Sequence, residues 1–557
     1  MVSRRFVTLS LLCLQLVSSC AVRSQIISNG TLQAPSQPRT ISGVVVNSVT
    51  GRPIPRVLVQ AGRFAMLTDG EGRFEFRDVT DNGVLSATKP GYFPENIGGM
   101  ISWSPVAQGQ PGPLELRLVP EGILSGRVTD ARGTPLENVL VTLRTLVVSN
   151  GLNHWERRGG TTTNAEGEFR FAELQAGEYA VQTALTLDGP PEGEAAAGYA
   201  PVEYPVLRVN GAGAIKMRAG DQLGADMSTR LEKLYPVSGV VNGLPEDTWP
   251  NFTVRMAGGF EVNPAIQQNP QTGEFRMLLP SGSFELRTLA YVPPVVDSSR
   301  ATAVRDAVQL NAQQRVTVAQ GPVEGVRVTL QPMATIPIEV IEETIAKSQA
   351  SAPSPWSADP AQMNFSLLQA DADAALAAYP AERMDDRDDP AQGMQMSRPL
   401  LIRNLPPGRY FLQAQGEPPW YVASAFCGGT DLTREPFAIA ASVAGCAMRV
   451  VLRDDVASLQ ISVSNAREDR GAPAFIYVVP LNNLTRDVQM LSTGPDGKSS
   501  LGALAPGQYL LLASRQAAQL AFRDTESLRR YETEGRRIDL APGARAEVQL
   551  DVITGEP

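Results

Sequence analysis

Leu405-Pro406-Pro407-Gly408-Arg409-Tyr410-Phe411-Leu412 decides the fold class, because its pattern of Leu, Gly and an aromatic residue returns at domain-sized intervals. The other copies are Leu174-Gln175-Ala176-Gly177-Glu178-Tyr179, Leu279-Pro280-Ser281-Gly282-Ser283-Phe284 and Leu504-Ala505-Pro506-Gly507-Gln508-Tyr509. Each runs into an apolar, strand-like segment such as Tyr509-Leu510-Leu511-Leu512-Ala513. The Leu is expected to plug the end of a core, the Gly to supply a turn with φ > 0, and the aromatic to begin an inward-facing row. Such a phrase serves a scaffold, so it points to architecture before it points to a ligand.

Outward from that phrase, 557 residues far exceed one hydrophobic core and suggest four or five units. Abundant Gly and Pro without a dominant helical period mark many short strands joined by tight turns. A formal net charge of -9 argues against nucleic acid as a partner, since phosphate binding needs clustered Lys and Arg.

At the start of the chain, Arg4 and Arg5 precede an apolar run from Phe6 to Val17 that suits an export signal and is too short to span a bilayer. It closes with Val17-Ser18-Ser19-Cys20, which resembles a bacterial lipobox with Cys20 as the lipidated residue; cleavage after Ala21 is the alternative and would release a secreted protein. Residues 21–38, rich in Ser, Asn, Gln and Pro, read as a tether. Cys427 and Cys446 are close enough in an exported chain to pair as a disulfide, with free thiols as the alternative.

The first unit (39–120) carries Ile41-Ser42-Gly43-Val44, Gly51-Arg52-Pro53-Ile54 and Asp69-Gly70-Glu71-Gly72-Arg73-Phe74-Glu75-Phe76. In the second (121–232), Leu124-Ser125-Gly126-Arg127-Val128, Gly133-Thr134-Pro135-Leu136 and Asn164-Ala165-Glu166-Gly167-Glu168-Phe169-Arg170-Phe171 repeat the plan. These motifs resemble the carboxypeptidase regulatory-like domain, which implies a prealbumin-like, Ig-like β-sandwich. The third unit (233–332) has a thinner version, Val237-Ser238-Gly239-Val240 with Thr272-Gly273-Glu274-Phe275. The fourth (333–453) contains a Ser, Ala and Pro-rich insert, and in the fifth (454–557) Asp524 or Thr525 caps one short helix that places Leu528 and Tyr531 on one face and stops at Gly535. The expected fold is all-β: a string of about five β-sandwich domains after a signal peptide.

Catalytic signatures are scarce. His154 is the sole histidine, placed in an expected hairpin loop, and no nucleophile elbow, phosphate loop or zinc-protease motif occurs. The peptidase zinc site implied by the family's name belongs to a different domain, so the resemblance brings no activity, and no enzyme, metal or cofactor is expected. Asp385, Asp386, Asp388 and Asp389 lack the spacing of a calcium loop and read as a solvated acidic segment. The Asn-x-Ser/Thr triplets at Asn29, Asn251, Asn364 and Asn483 are coincidental in a bacterial chain. Sugar recognition needs aromatic platforms beside amides and carboxylates; of Trp103, Trp155, Trp249, Trp356, Trp420 and Tyr421, the best candidates are Trp155 and the Trp420-Tyr421 pair. Two readings follow: a non-catalytic cell-envelope scaffold meeting envelope or extracellular proteins, at the outer-membrane surface or in the periplasm, or a polysaccharide-binding protein.

Overall fold

The structure is a computed structural model that describes residues 39–553, apart from 80–83, 98–99, 102–103, 106–112, 190–195, 207–212, 246–247, 257–260, 293–294, 298–301, 306–307, 346–361, 371–376, 384–399, 441–445, 465–473 and 495. Cys20, Trp103, Trp356 and the acidic run Asp385–Asp389 lie outside the described residues. The chain folds as consecutive β-sandwiches with a single short helix among the described residues.

One pairing rule recurs in every unit. The opening strand lies between an antiparallel partner and the closing strand, to which it runs parallel. In the first unit Arg39–Asn47 pairs antiparallel with Arg73–Val79 and parallel with Leu114–Pro120. The same arrangement joins Gly122–Thr129 to Glu168–Leu174 and Gln222–Gly224, and Tyr235–Asn242 to Glu274–Leu279 and Val323–Thr329. It returns where Ala334–Glu343 meets Leu400–Leu405 and Met448–Arg453, and where Ala457–Val463 meets Lys498–Leu504 and Arg545–Leu550.

The glycine of the Ser-Gly-x-Val motif makes this pairing possible. A Cβ on Gly43, Gly126 or Gly239 would stand 2.2, 2.3 and 2.0 Å from a carbonyl oxygen of the neighbouring chain segment, at Leu114, Ala225 and Val326. The same Cβ would meet the ring of Phe74, Phe169 or Phe275 at 2.7 to 2.9 Å. The motif's glycine and its phenylalanine are therefore two halves of one contact, and only a residue without a side chain leaves room for both.

The cores follow from strand alternation. Phe74 and Phe76 point inward from Arg73–Val79 onto Val45, Val57, Val59, Leu85 and Leu118, and Phe169 and Phe171 do so in the second unit. The third core also takes Leu185 and Leu234, which flank a small sheet of Thr186–Leu187, Ala197–Tyr199 and Leu231–Lys233. In the fourth unit Ala378–Arg383 pairs with Leu400–Leu405 and with Asn364–Gln369, so nine strands form one sheet around a single core. A disulfide joins Cys427 and Cys446, with Cα atoms 5.5 Å apart.

The Leu-Gly-aromatic phrase works as a corner, with one correction. Leu174, Leu279, Leu405 and Leu504 are buried as expected. In the copies at Leu174 and Leu405 the left-handed backbone sits instead on the residue before the Leu, at Glu173 (φ 55°) and Asn404 (φ 57°), and correspondingly at Asp78 (φ 58°) before Val79 in the first unit. There the facing opening strand slips register, as at Gly122/Leu124 and Ala334/Ile336, so the bulge absorbs the turn. Gly177 and Gly408 accordingly lack a positive φ, whereas Gly282 (φ 158°) and Gly507 (φ 142°) have the one expected of them. The tyrosine then returns its hydroxyl to the corner: Tyr179 donates to the Gln175 carbonyl at 2.9 Å, Tyr410 to Pro406 at 2.6 Å and Tyr509 to Ala505 at 2.7 Å. This is the tyrosine corner of β-sandwiches. Phe284 has no hydroxyl to offer at the third unit.

The helix Thr525–Glu534 starts where Asp524 accepts a hydrogen bond from the Ser527 amide at 2.8 Å, and Leu528 and Tyr531 pack on the outer core of the fifth unit.

Candidate functional site

The apolar strand Phe475–Pro480 of the fifth unit ends in Leu481-Asn482-Asn483-Leu484-Thr485-Arg486-Asp487-Val488, a loop stitched to the fourth unit along its length. Asn483 donates through Nδ2 to the Val422 carbonyl (3.0 Å), and its Oδ1 accepts from the Thr485 amide and hydroxyl. The Leu484 amide donates to the Thr433 carbonyl at 2.7 Å, and the Ala414 amide to the Thr485 carbonyl at 2.9 Å. Backbone groups that water would otherwise satisfy are thus used to fix one unit against the next.

Beside this loop lies a cleft of about 260 Å³, walled on one side by Pro418, Pro419, Trp420 and Tyr421 and on the other by Thr485, Arg486, Asp487 and Tyr509. Trp420 is half-buried, next to the Pro418-Pro419 step. Tyr421 is not an open platform: it is 8% exposed, its hydroxyl donates to Asp455 Oδ1 at 2.6 Å, and the other Asp455 oxygen is held by Arg453. Burial, reinforced by the Asp455 carboxylate, pushes the Tyr421 hydroxyl well above the usual phenol range. Arg486 packs over the Tyr421 ring, 5.1 Å from its centroid, and donates from Nη1 to the Tyr509 hydroxyl at 3.2 Å. Its Nε is enclosed with no hydrogen-bond partner. Burial lowers the Arg486 pKa, against the pull of Tyr509.

Asp487 accepts from Gln413 and Gln415 and pairs with Arg523 at 3.1 Å. Arg523 is fully enclosed at its side chain and is the most connected cation described. It donates to the carbonyls of Leu484 and Arg486, stacks on Phe522 at 4.6 Å, and reaches the Asn150 carbonyl of the second unit, 373 residues away. Its own amide donates to the Gly151 carbonyl at 2.8 Å. The contact is made at the turn between Leu140–Ser149 and Leu152–Thr162, where Asn153 also donates to Ser527 at 3.3 Å.

The remaining sequence candidates separate. His154 lies within the strand Leu152–Thr162, not in a loop; it is 1% exposed, with Nε2 2.9 Å from Glu156 and Nδ1 unpartnered. Trp155 is half-buried with the Arg144 guanidinium 5.8 Å from its ring, and Arg144 faces Glu203 at 3.5 Å. Trp249 is 63% exposed. Of all these, Trp420 and Tyr421 are the ones that line the cleft. Sequence reasoning missed Arg486, Asp487 and Arg523. The one available signal was a dense polar cluster directly after the apolar run Phe475–Val479. Among the described residues no three His, Cys, Asp or Glu side chains converge as a metal site, and no helix is long and apolar enough to cross a membrane.

Residues 123–218 match the carboxypeptidase regulatory-like domain family. No curated protein matches the chain. Solved structures similar to it include a shaft pilin of Lactobacillus rhamnosus GG (10% identity, 35% of this chain and 97% of the pilin, TM-score 0.19). Others are a streptococcal ancillary pilin (13% identity, 53% and 100% of the two chains, TM-score 0.18) and two B repeat units of the collagen-binding protein of Staphylococcus aureus (10% identity, 71% and 92%, TM-score 0.14).

Proposed function

We propose that this chain, with a carboxypeptidase regulatory-like domain at residues 123–218, is an exported cell-envelope scaffold that acts by binding and not by catalysis. The observation that supports this reading is the use made of its polar side chains. The buried Arg523 and the half-buried Asn483 and Asp487 are committed to carbonyls and side chains that hold three sandwiches together. A protein that invests its buried charges in joining units presents rigid surface. The Arg4–Cys20 segment supplies the route out of the cytoplasm and an anchor at Cys20. In a Gram-negative host fed labelled palmitate, the full chain incorporates label and sediments with membranes, and Cys20→Ala loses both. A wild-type chain that takes up no label and stays in the soluble fraction would replace the lipid anchor with signal-peptidase release.

A second reading, carbohydrate binding, is favoured by the cleft, where Trp420 stands near Gln415, Gln489 and Asp487. Residues 39–557 are expected to be retained on an insoluble polysaccharide or a glycan array, with retention lost in Trp420→Ala and kept in Trp155→Ala. Absence of retention on every glycan leaves the scaffold reading and directs the search to protein partners.

A further inference from the structure

We infer that the cleft between the fourth and fifth units is an anion site, built to take a sugar that carries a carboxylate, a hexuronic acid residue of an acidic polysaccharide. This rests on the carbohydrate reading above and specifies its ligand. The carrying observation is an uncompensated charge. Arg486 lines the cleft, yet no carboxylate lies within ion-pair distance of it among the described residues. The two nearby acids are already committed, Asp487 to Arg523 and Asp455 to Tyr421 and Arg453. Nη1 of Arg486 is held by the Tyr509 hydroxyl, and Nε is sealed off from solvent without a partner. Nη2 makes no hydrogen bond among the described residues and is not enclosed as Nε is, which leaves it as the donor for an incoming group. A guanidinium withdrawn from water and left without a counter-ion is costly, and a bound anion removes that cost.

The rest of the cleft fits a sugar ring better than an inorganic anion or an extended peptide. Trp420 offers an aromatic wall for the apolar face of a pyranose, while Gln489 and Gln415 offer amides for its hydroxyls. The volume of about 260 Å³ lies just under the range of about 300–1,000 Å³ for drug-sized ligands, which suits one ring of a longer chain entering from solvent. The cation is preorganised: the loop that carries it is tied to Val422, Thr433 and Ala414, so little ordering remains to be done on binding.

The experiment is a titration of residues 39–557 with trigalacturonate, its methyl ester and a neutral trisaccharide, followed by calorimetry and Trp fluorescence. The acid is expected to bind about tenfold or more tightly than the ester, the gain of a charge-assisted hydrogen bond. Arg486→Gln is expected to erase that preference, acid and ester then binding alike, and Trp420→Ala to weaken both. Equal binding of acid and ester, with Trp420 still required, would overturn the anion site and leave carbohydrate binding intact. If no saccharide binds, both ideas fall. An Asp- and Glu-rich peptide that binds where trigalacturonate does not would also overturn the proposal. Because the acid-to-ester comparison needs no variant, it decides the matter even if Arg486→Gln fails to fold.

Discussion

Tyrosine hydroxyls recur at the joints of this chain. Tyr179, Tyr410 and Tyr509 close corners, Tyr421 holds Asp455, and Tyr477 receives the Ala518 amide at 2.7 Å. Burial raises the hydroxyl pKa of Tyr179, Tyr379, Tyr421, Tyr477, Tyr509 and Tyr531 above the ordinary value of 10.0. The folded state therefore keeps protons that the unfolded chain releases above about pH 10, so this stabilisation is complete below that pH and is lost as pH rises toward the folded values. Urea midpoints are expected to hold steady to about pH 9.5 and fall beyond it, and Tyr421→Phe to flatten the fall. A midpoint unchanged from pH 9 to 11.5 would refute the linkage. At the same scale, Tyr179→Phe removes only the hydroxyl that binds the Gln175 carbonyl and is expected to cost about 1 kcal/mol in chemical denaturation. The corner was half legible in the sequence: the aromatic was expected to point inward, but not its hydroxyl's return. The constant offset of four residues, Gln175 to Tyr179, Pro406 to Tyr410 and Ala505 to Tyr509, was there to be read.

At the level of elements, what depends on near neighbours was readable and what depends on distant ones was not. The helix Thr525–Glu534 declares itself through a capping Asp524 and the spacing of Leu528 and Tyr531. Asp524→Ala is expected to destabilise the fifth unit by about 1 kcal/mol, visible as a lower melting midpoint with no change in the other units. Gly535 ends the helix as expected, with φ -95°, and its role there is spatial, because a Cβ would meet the Leu510 side chain at 2.6 Å. The hairpin Leu140–Ser149 and Leu152–Thr162 runs on where a loop around His154 was expected, and no near neighbour in the sequence shows that its tip is covered by a unit far along the chain. The cleft was half visible likewise: Trp420 stood out as an aromatic beside two prolines, while Arg486 gains meaning only from the tyrosines that the fold brings to it.

For the whole molecule, a linear string is too simple a picture. Gln182 of the second unit donates to the Glu261 carbonyl of the third at 2.7 Å, the 481–488 loop joins the fifth to the fourth, and Arg523 joins the fifth back to the second. The last contact is the vulnerable one. Gly151 has φ 75° and a Cβ there would stand 2.2 Å from the Phe522 ring, so Gly151→Val is expected to part the second unit from the fifth. Small-angle scattering should then give a larger radius of gyration with near-native circular dichroism; an unchanged scattering curve would show that the tip does not hold the closure. The parallel pairing of opening and closing strands reaches further. Because both strands of each pair run the same way, the chain leaves a unit at the end opposite to the one where it came in. Tension applied along the protein would pull those two strands past each other lengthwise, as in the rungs Gly43 to Leu114 through Asn47 to Leu118, and load every rung at once instead of peeling them singly. Shear of this kind makes each sandwich a link able to bear mechanical force.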